Sequence, residues 1–284
     1  MKEGNSKINN IIVISDQHFG CEMGLFPLDK FRLDGGGYYY PSPLQKKVRW
    51  MWDYFWKEWV PEVTKGEDYI VVNNGDAIDG VHHGSVTQFS QNLAVQKDFA
   101  VTCLLPIIEN KKCARYYHIR GTEAHVGKSS QYEEEIAQTL KAKPDDNGNY
   151  ARWELWYSMQ KKLIHFSHHI GTTGSSAYES TAVYKEMVEQ FVDAGRWGDQ
   201  PPDVVVRSHR HRQFETRIAT KNGYGISLVT PGWQLKTPFV HKLPGGRAST
   251  PQMGGYLIRH GDEDQIFTRF KVWRISRSKV ENDN

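Results

Sequence analysis

Cysteine is scarce in this chain. There are three in 284 residues, Cys21, Cys103 and Cys113, and no two form a C-x-x-C pair. So few, and odd in number, they read as free thiols in a reducing compartment, and a cytoplasmic location is expected. Long apolar runs are missing too. None approaches the roughly 20 residues that span a bilayer, and Met1 to Asn10 is polar, without the apolar core of a secretion signal. No membrane partner is expected. The net charge of +3 is too small to imply a basic nucleic-acid-binding face, although a local patch is compatible with it. Neither H-E-x-x-H nor G-x-S-x-G occurs, which removes support for zincin protease and serine hydrolase readings. Gly127-Lys128-Ser129 follows a strand-like run, but a P-loop needs a glycine where Thr122 stands. A nucleoside-triphosphate cradle is therefore rejected, which leaves Lys128 as a phosphate contact at most. There is no internal repeat and no dividing linker.

What is present is a folded composition, 38% hydrophobic and 24% charged, and a series of short β-branched runs. Ile11–Ile14, Tyr69–Val72 and Val204–Arg207 read as buried strands, the first covered on both faces, and Arg115–Ile119 and Lys162–Phe166 read as further strands. Helices are predicted over 44–60, ending near Pro61, and over 88–110, 131–141 and 176–194. Val48, Trp52, Phe55, Trp56 and Trp59 share one helical face, and core packing is the expectation for them. Trp153–Met159 pairs with Lys162–Phe166 as a hairpin around Gln160-Lys161. A single domain over 1–284 is expected. It would carry an irregular insertion or cap at about 19–43 and a C-terminal hairpin at about 255–276. The fold class is α/β (α+β).

Residues that ligate metals follow these runs one after another. Asp16 and His18 come after the first, Asp76 and Asp79 after the second, and Thr122 to His125 after the third. His168 and His169 follow the next, and Ser208-His209-Arg210-His211-Arg212 the last. One such group is an ordinary loop. Five point to a rim where several strands deliver ligands to one site, as expected outside the carboxyl ends of strands in open α/β sheets. A mixed imidazole and carboxylate set suits transition metals better than Ca or Mg. It also holds more ligands than one ion needs.

In order, Asp16-x-His18, Gly75-Asp76-x-x-Asp79, Gly121-Thr122, His168 and Ser208-His209-x-His211 resemble the calcineurin-like metallophosphoesterase superfamily. The similarity runs from about Ile11 to Gly232 and includes Thr230-Pro231-Gly232, which resembles the N-P-G segment after the last motif. The resemblance implies a four-layer α/β/β/α sandwich of two mixed sheets flanked by helices. It implies hydrolysis of phosphate monoesters or diesters by a hydroxide held between two divalent transition-metal ions, with Mn2+ first and Fe, Zn or Ni as alternatives. Asp16, His18 and His211 would hold one ion, His168 and His209 the other, and Asp76 would bridge them. Asp79 would support the ligands rather than bind.

The third motif departs from the family. Thr122 stands where an asparagine ligand is expected, and Glu123 where a histidine is expected. Either Thr122 binds, or Glu123 substitutes, or the second site is depleted. His125, two residues beyond the expected place, is assigned to protonate the leaving oxygen. Arg210 is assigned to bind substrate; with Arg207 and Arg212 it either grips phosphate or forms ordinary salt bridges. His82 and His83 either line the pocket or are plain loop histidines, and His165 is structural. Two alternatives stand beside the phosphoesterase. One is a DNA exo- or endonuclease of the SbcD type, with nucleic acid as partner. The other is a non-catalytic binding module with a degenerate metal site. No feature sets the oligomeric state.

Overall fold

The computed structural model describes residues 7–126, 130–171, 176–221, 223–242 and 250–275. Thirteen strands are found among them: β1 (Asn10–Ile14), β2 (Phe31–Arg32), β3 (Tyr38–Tyr39), β4 (Tyr69–Asn74), β5 (Cys113–Ile119), β6 (Ala151–Arg152), β7 (Glu154–Met159), β8 (Lys162–Ser167), β9 (Val204–Arg207), β10 (Phe214–Thr220), β11 (Gly223–Val229), β12 (Gln252–His260) and β13 (Ile266–Arg274). The helices are α1 (Pro43–Tyr54), α2 (Val60–Val63), α3 (Leu93–Ile108), α4 (Glu123–Val126), α5 (Gln131–Thr139), α6 (Glu179–Trp197) and α7 (Pro238–Lys242).

Two sheets carry the fold. One has the order β13-β12-β1-β4-β5-β6, and the other β10-β11-β9-β8-β7. In the first, β1, β4, β5 and β6 run parallel. In the second, β8, β9 and β11 run parallel between antiparallel edges. Successive side chains of a strand point to opposite faces, which explains the unbroken apolar run of β1. Ile12 and Ile14 join a core with α1, α2, α3 and α5, whereas Ile11 and Val13 join a second core that includes Ile164, Phe166, Val204 and Val206 of the other sheet. With α6 packed on β9, β10 and β11, the result is the α/β/β/α sandwich. No helix among the described residues is long and apolar enough to cross a membrane.

Several boundaries differ from the sequence reading. The first long helix does not end at Pro61. A π-helical turn over Phe55–Trp59, in which the Val60 N–H donates to the Phe55 carbonyl, precedes α2, so Pro61 falls in the first turn of a new segment, where its missing donor costs little. Pro106 does not end α3, which starts late, at Leu93, behind an Asn92 cap. The hairpin turn at Gln160-Lys161 is present with φ of 50° and 78°, the two positive values of a tight turn between twisted strands. Strand β10 went unread because its half-exposed sequence lacks a buried run. Within 19–43, Phe19, Cys21, Leu25 and Phe26 are buried core residues, and β2 pairs with β3. His165 is buried, bonds Glu154 at 3.0 Å and stacks on Trp156. The tripeptide Gly127-Lys128-Ser129 lies outside the described residues.

Phe166 is fully buried between the sheets, two residues before His168. Phe166→Ala is expected to cost about 3–5 kcal/mol of stability, read as a lower urea midpoint at unchanged slope; a loss under about 1 kcal/mol would mean that the layer is not packed as described.

Candidate metal centre

The parallel strands of both sheets end at one rim, and the rim is tied together by hydroxyls. The Asn74 side-chain amide donates to Ser167 O at 3.0 Å and to Ser208 Oγ at 2.7 Å. Ser208 Oγ lies 2.7 Å from Thr230 Oγ1, which lies 2.6 Å from Ser15 Oγ. Ser15 in turn donates to Asp16 Oδ2 at 2.5 Å. This buried chain links the ends of β1, β4, β9 and β11.

The chain leaves these strands in an unusual conformation. Asp16, His18, Asp76, His209 and His211 all have positive φ, between 47° and 73°. Non-glycine residues rarely occupy this region, and such strain clusters at functional sites. Gly75 and Gly121 are needed for a different reason: a Cβ on Gly75 would sit 2.3 Å from His168 Nδ1, and one on Gly121 2.1 Å from Asp76 Oδ1.

Among the described residues the side chains gather into three donor groups whose ligand atoms lie within 4.8 Å of one another, and two of them share no residue: a first set of Asp16, His18 and His211 and a second of Asp76, His168 and His209. In the first, His18 Nε2 is 3.1 Å from His211 Nε2, and His211 Nε2 is 3.2 Å from Asp16 Oδ1. In the second, His168 Nε2 is 3.0 Å from Asp76 Oδ2, with His209 Nδ1 at 3.9 Å. Carbonyl and carboxylate acceptors orient three of the imidazoles. His168 Nδ1 donates to the Asn74 carbonyl at 2.7 Å, His125 Nδ1 to the Asp79 carbonyl at 2.7 Å, and His18 Nδ1 to Asp79 Oδ1 at 3.2 Å. Each contact places the proton on Nδ1 and leaves the Nε2 lone pair for the site, the arrangement typical of metal-binding histidines.

Asp79 is fully engaged. Besides His18 it accepts from Gln88 at 2.5 Å and from Gln234 at 3.1 Å. Its atoms also group with His18 and His125. Thr122 accounts for both oxygens of Asp76: its N–H donates to Oδ1 at 2.6 Å and its hydroxyl to Oδ2 at 3.1 Å, and that hydroxyl also lies 3.1 Å from His209 Nδ1. Glu123 is exposed at the start of α4 and belongs to neither set. His125 Nε2 faces Asp76 Oδ2 at 3.9 Å. Arg210 lines the cavity above the site and donates to the Gly171 carbonyl. Arg207 pairs with Glu186 at 2.8 Å and Arg212 with Glu179 at 3.0 Å. His82 and His83 line the cavity, and His169 is exposed beside His209.

Three partners were not read from the sequence. Gln88 and Gln234 are remote from every motif and carry no local signal. Glu133, fully buried on α5, accepts from the Gly121 N–H at 2.8 Å and so holds the Gly121-Thr122 turn. The hydroxyl chain did leave a signal, since Ser15 and Ser208 each directly precede a ligand.

The electrostatics follow from burial. Burial alone would raise Asp16, Asp76 and Asp79. Neighbouring imidazoles outweigh it: His211 brings Asp16 down to about 2, His168 and His125 hold Asp76 well below the carboxylate range, and His18 and His82 lower Asp79. His18 is pushed down to about 4, first by burial and then by His125. His168 goes the other way. Burial opposes its charge, but the Asp76 carboxylate raises it to about 10.

No protein-family model matches the chain, and no curated protein matches its sequence. Among solved structures, Vps29 of Chaetomium thermophilum is similar with a TM-score of 0.37 at 9% identity, over 94% of this chain and 98% of that one. The Thermotoga maritima protein TM1076 is similar with a TM-score of 0.32 at 10% identity, over 94% of this chain and all of the other. Similarity this distant carries no argument about function, which rests on the side chains themselves.

Those side chains fit divalent transition metals. Each set mixes imidazole with carboxylate. Asp16 Oδ1 and His168 Nε2 are buried and make no aligned hydrogen bond, as expected of atoms meant for an ion.

His168 Nε2 is therefore where a proton and a metal compete. Its pKa is raised from 6.5 to about 10. The stability it lends the metal-free fold is thus complete below pH 6.5 and is lost as pH rises through 10. Across that window metal binding is expected to release about one proton from this residue, measured by calorimetry at about pH 8.5 in buffers of different ionisation enthalpy. His168→Gln should bind metal more weakly and abolish that release; an unchanged proton count in the variant would remove His168 from the site.

Proposed function

We propose that this protein is a metal-dependent phosphoesterase that uses two divalent transition-metal ions, Mn2+ first among Mn, Fe, Zn and Ni. The observation that carries the reading is the pair of adjoining His/Asp donor sets, built by strained residues at the ends of parallel strands in both sheets. A lone set would fit a structural ion equally well. Two sets at the base of an open cavity of about 670 Å³ suit an ester whose phosphate must be held and neutralised. Divalent ions would supply Lewis acidity there, neutralising phosphate oxygens and making a water nucleophile available near neutral pH.

The chain's own residues have the following roles. Asp16, His18 and His211 would hold one ion, and His168 and His209, with the Thr122 hydroxyl, would hold the other, with the Asp76 carboxylate available beside them. Asp79, fixed by Gln88 and Gln234, keeps His18 oriented. His125 has Nδ1 committed to a carbonyl, so only when the ring carries a second proton, on Nε2, does it have one to give to the leaving oxygen. Arg210, anchored on the Gly171 carbonyl, binds phosphate oxygens. Substitution of Thr122 for an amide ligand favours one rival, a binding module that keeps a single ion and catalyses nothing.

Purified protein is expected to hold about two metals per chain by elemental analysis and to turn over bis-p-nitrophenyl phosphate, with Asp76→Asn reducing turnover to background. One metal or none, with no turnover across Mn, Fe, Zn and Ni, would favour the binding module. His125→Asn separates the acid role. Hydrolysis of a diester with an alkoxide leaving group should fall about 100-fold or more, whereas release of p-nitrophenolate, which needs no proton, should change little. Equal losses on both substrates would make His125 a ligand or a structural group instead.

A further inference from the structure

The cavity above the donor sets has a wall that metal chemistry does not explain. Segments 82–87 and 234–242 build much of it, and none of its lining residues comes from 19–43. Within that wall the rings of His83 and Phe239 stack nearly parallel, with centroids 4.8 Å apart and planes at 19°. His83 Nδ1 touches His82 Nδ1 at 2.9 Å. His82 lies with its ring centroid 4.4 Å from that of His125 and with Nε2 3.6 Å from Asp79 Oδ2. A continuous line of side chains thus runs from the base of the site out to Phe239.

Phe239 does not support the fold. It sits in α7, which has no buried residue, and 39% of its surface is exposed. Val86, on the same wall, is 84% exposed. His83 has a φ of 50°, another non-glycine residue in the left-handed region, which is tolerated where the surroundings impose it. Arg210, Arg212 and Lys242 line the same cavity and put positive charge within reach of a phosphate. The cavity therefore presents metal donors and cations together with a flat, exposed aromatic stack.

We propose that the His83–Phe239 stack is a subsite for a planar aromatic or heteroaromatic group of the phosphate ester, so that aryl- and base-bearing esters are the preferred class over alkyl esters. The proposal rests on the phosphoesterase reading for the phosphate end. A flat ring extends an offset stack at the separations aromatic pairs prefer, and gains beyond simple burial. A saturated ring of the same size buries similar apolar area and gains only the burial. Shape, not hydrophobicity, is what the subsite selects.

The test compares phenyl phosphate, cyclohexyl phosphate and methyl phosphate by titration calorimetry on Mn2+-loaded protein. Phenyl phosphate is expected to bind about tenfold tighter than cyclohexyl phosphate. Phe239→Ala should erase that difference and Phe239→Trp should keep it, with thermal midpoints unchanged because Phe239 packs in no core. Equal affinities in the native chain, or a preference that survives Phe239→Ala, would overturn the subsite. Turnover of bis-p-nitrophenyl phosphate on the same preparations separates the two ideas. Turnover without a phenyl preference removes the subsite alone. A phenyl preference lost in Phe239→Ala, without turnover, upholds the subsite and removes hydrolysis.

Discussion

Three carboxylates are buried at the place where the two sheets end, and the rest of the site follows from keeping them charged. Asp16, Asp76 and Asp79 are each 1% exposed or less. Taking one carboxylate out of water costs several kcal/mol even after relaxation, so each needs its own donors. Asp79 has two glutamine amides and an imidazole, Asp76 has the Thr122 backbone and hydroxyl, and Asp16 has Ser15 and the His209 N–H at 3.4 Å. Imidazoles face what remains. The donors come from segments far apart in sequence, so no single loop could build the site. A sandwich whose parallel strands all end on one rim can.

The same arrangement explains how strain is tolerated. Five ligand candidates in the left-handed region cost roughly 1–2 kcal/mol each, against a total stability of about 5–15 kcal/mol for a typical domain. The strands beneath them absorb this. Every residue of β1, β4 and β9 is buried, and the hydroxyl chain from Asn74 to Ser15 fixes the strand ends relative to one another. The turns are therefore held from below, and the side chains are aimed before any ion or substrate arrives.

The sandwich, and the rim where ligand-type residues follow its strands, were legible in the sequence because each depends on a local pattern; the division of those residues into two sets was implied only by the family resemblance. A run of β-branched residues marks a doubly covered strand, and a ligand directly after it marks the rim. Ile11–Ile14 with Asp16 and His18, and Val204–Arg207 with His209 and His211, are the clearest cases. What was not legible depended on distance in the chain or on backbone detail. Gln88, Gln234 and Glu133 reach the site from other elements and look like any polar residue. The π-turn before Pro61 changes hydrogen-bond spacing without changing composition. The 19–43 stretch is largely irregular, yet Phe19, Leu25 and Phe26 pack into the core, which apolar residues scattered among glycine and tyrosine do not announce. Segments 82–87 and 234–242, which do form the cavity wall, carry no pattern that sets them apart.

The two donor sets differ in exposure. Ser208-His209-Arg210-His211 sends its two imidazoles to different sets, and both histidines have positive φ. His211 joins residues that are almost wholly buried, and its own side chain is 19% exposed. His209 remains 41% exposed, and the Thr122 hydroxyl lies 3.1 Å from its Nδ1. His18 and His211 of the first set and Asp76 and His209 of the second line the same cavity, so both sets open onto it. His125, Arg210, His83 and Phe239 line that cavity too, so the donors, the cation and the aromatic wall face one common space.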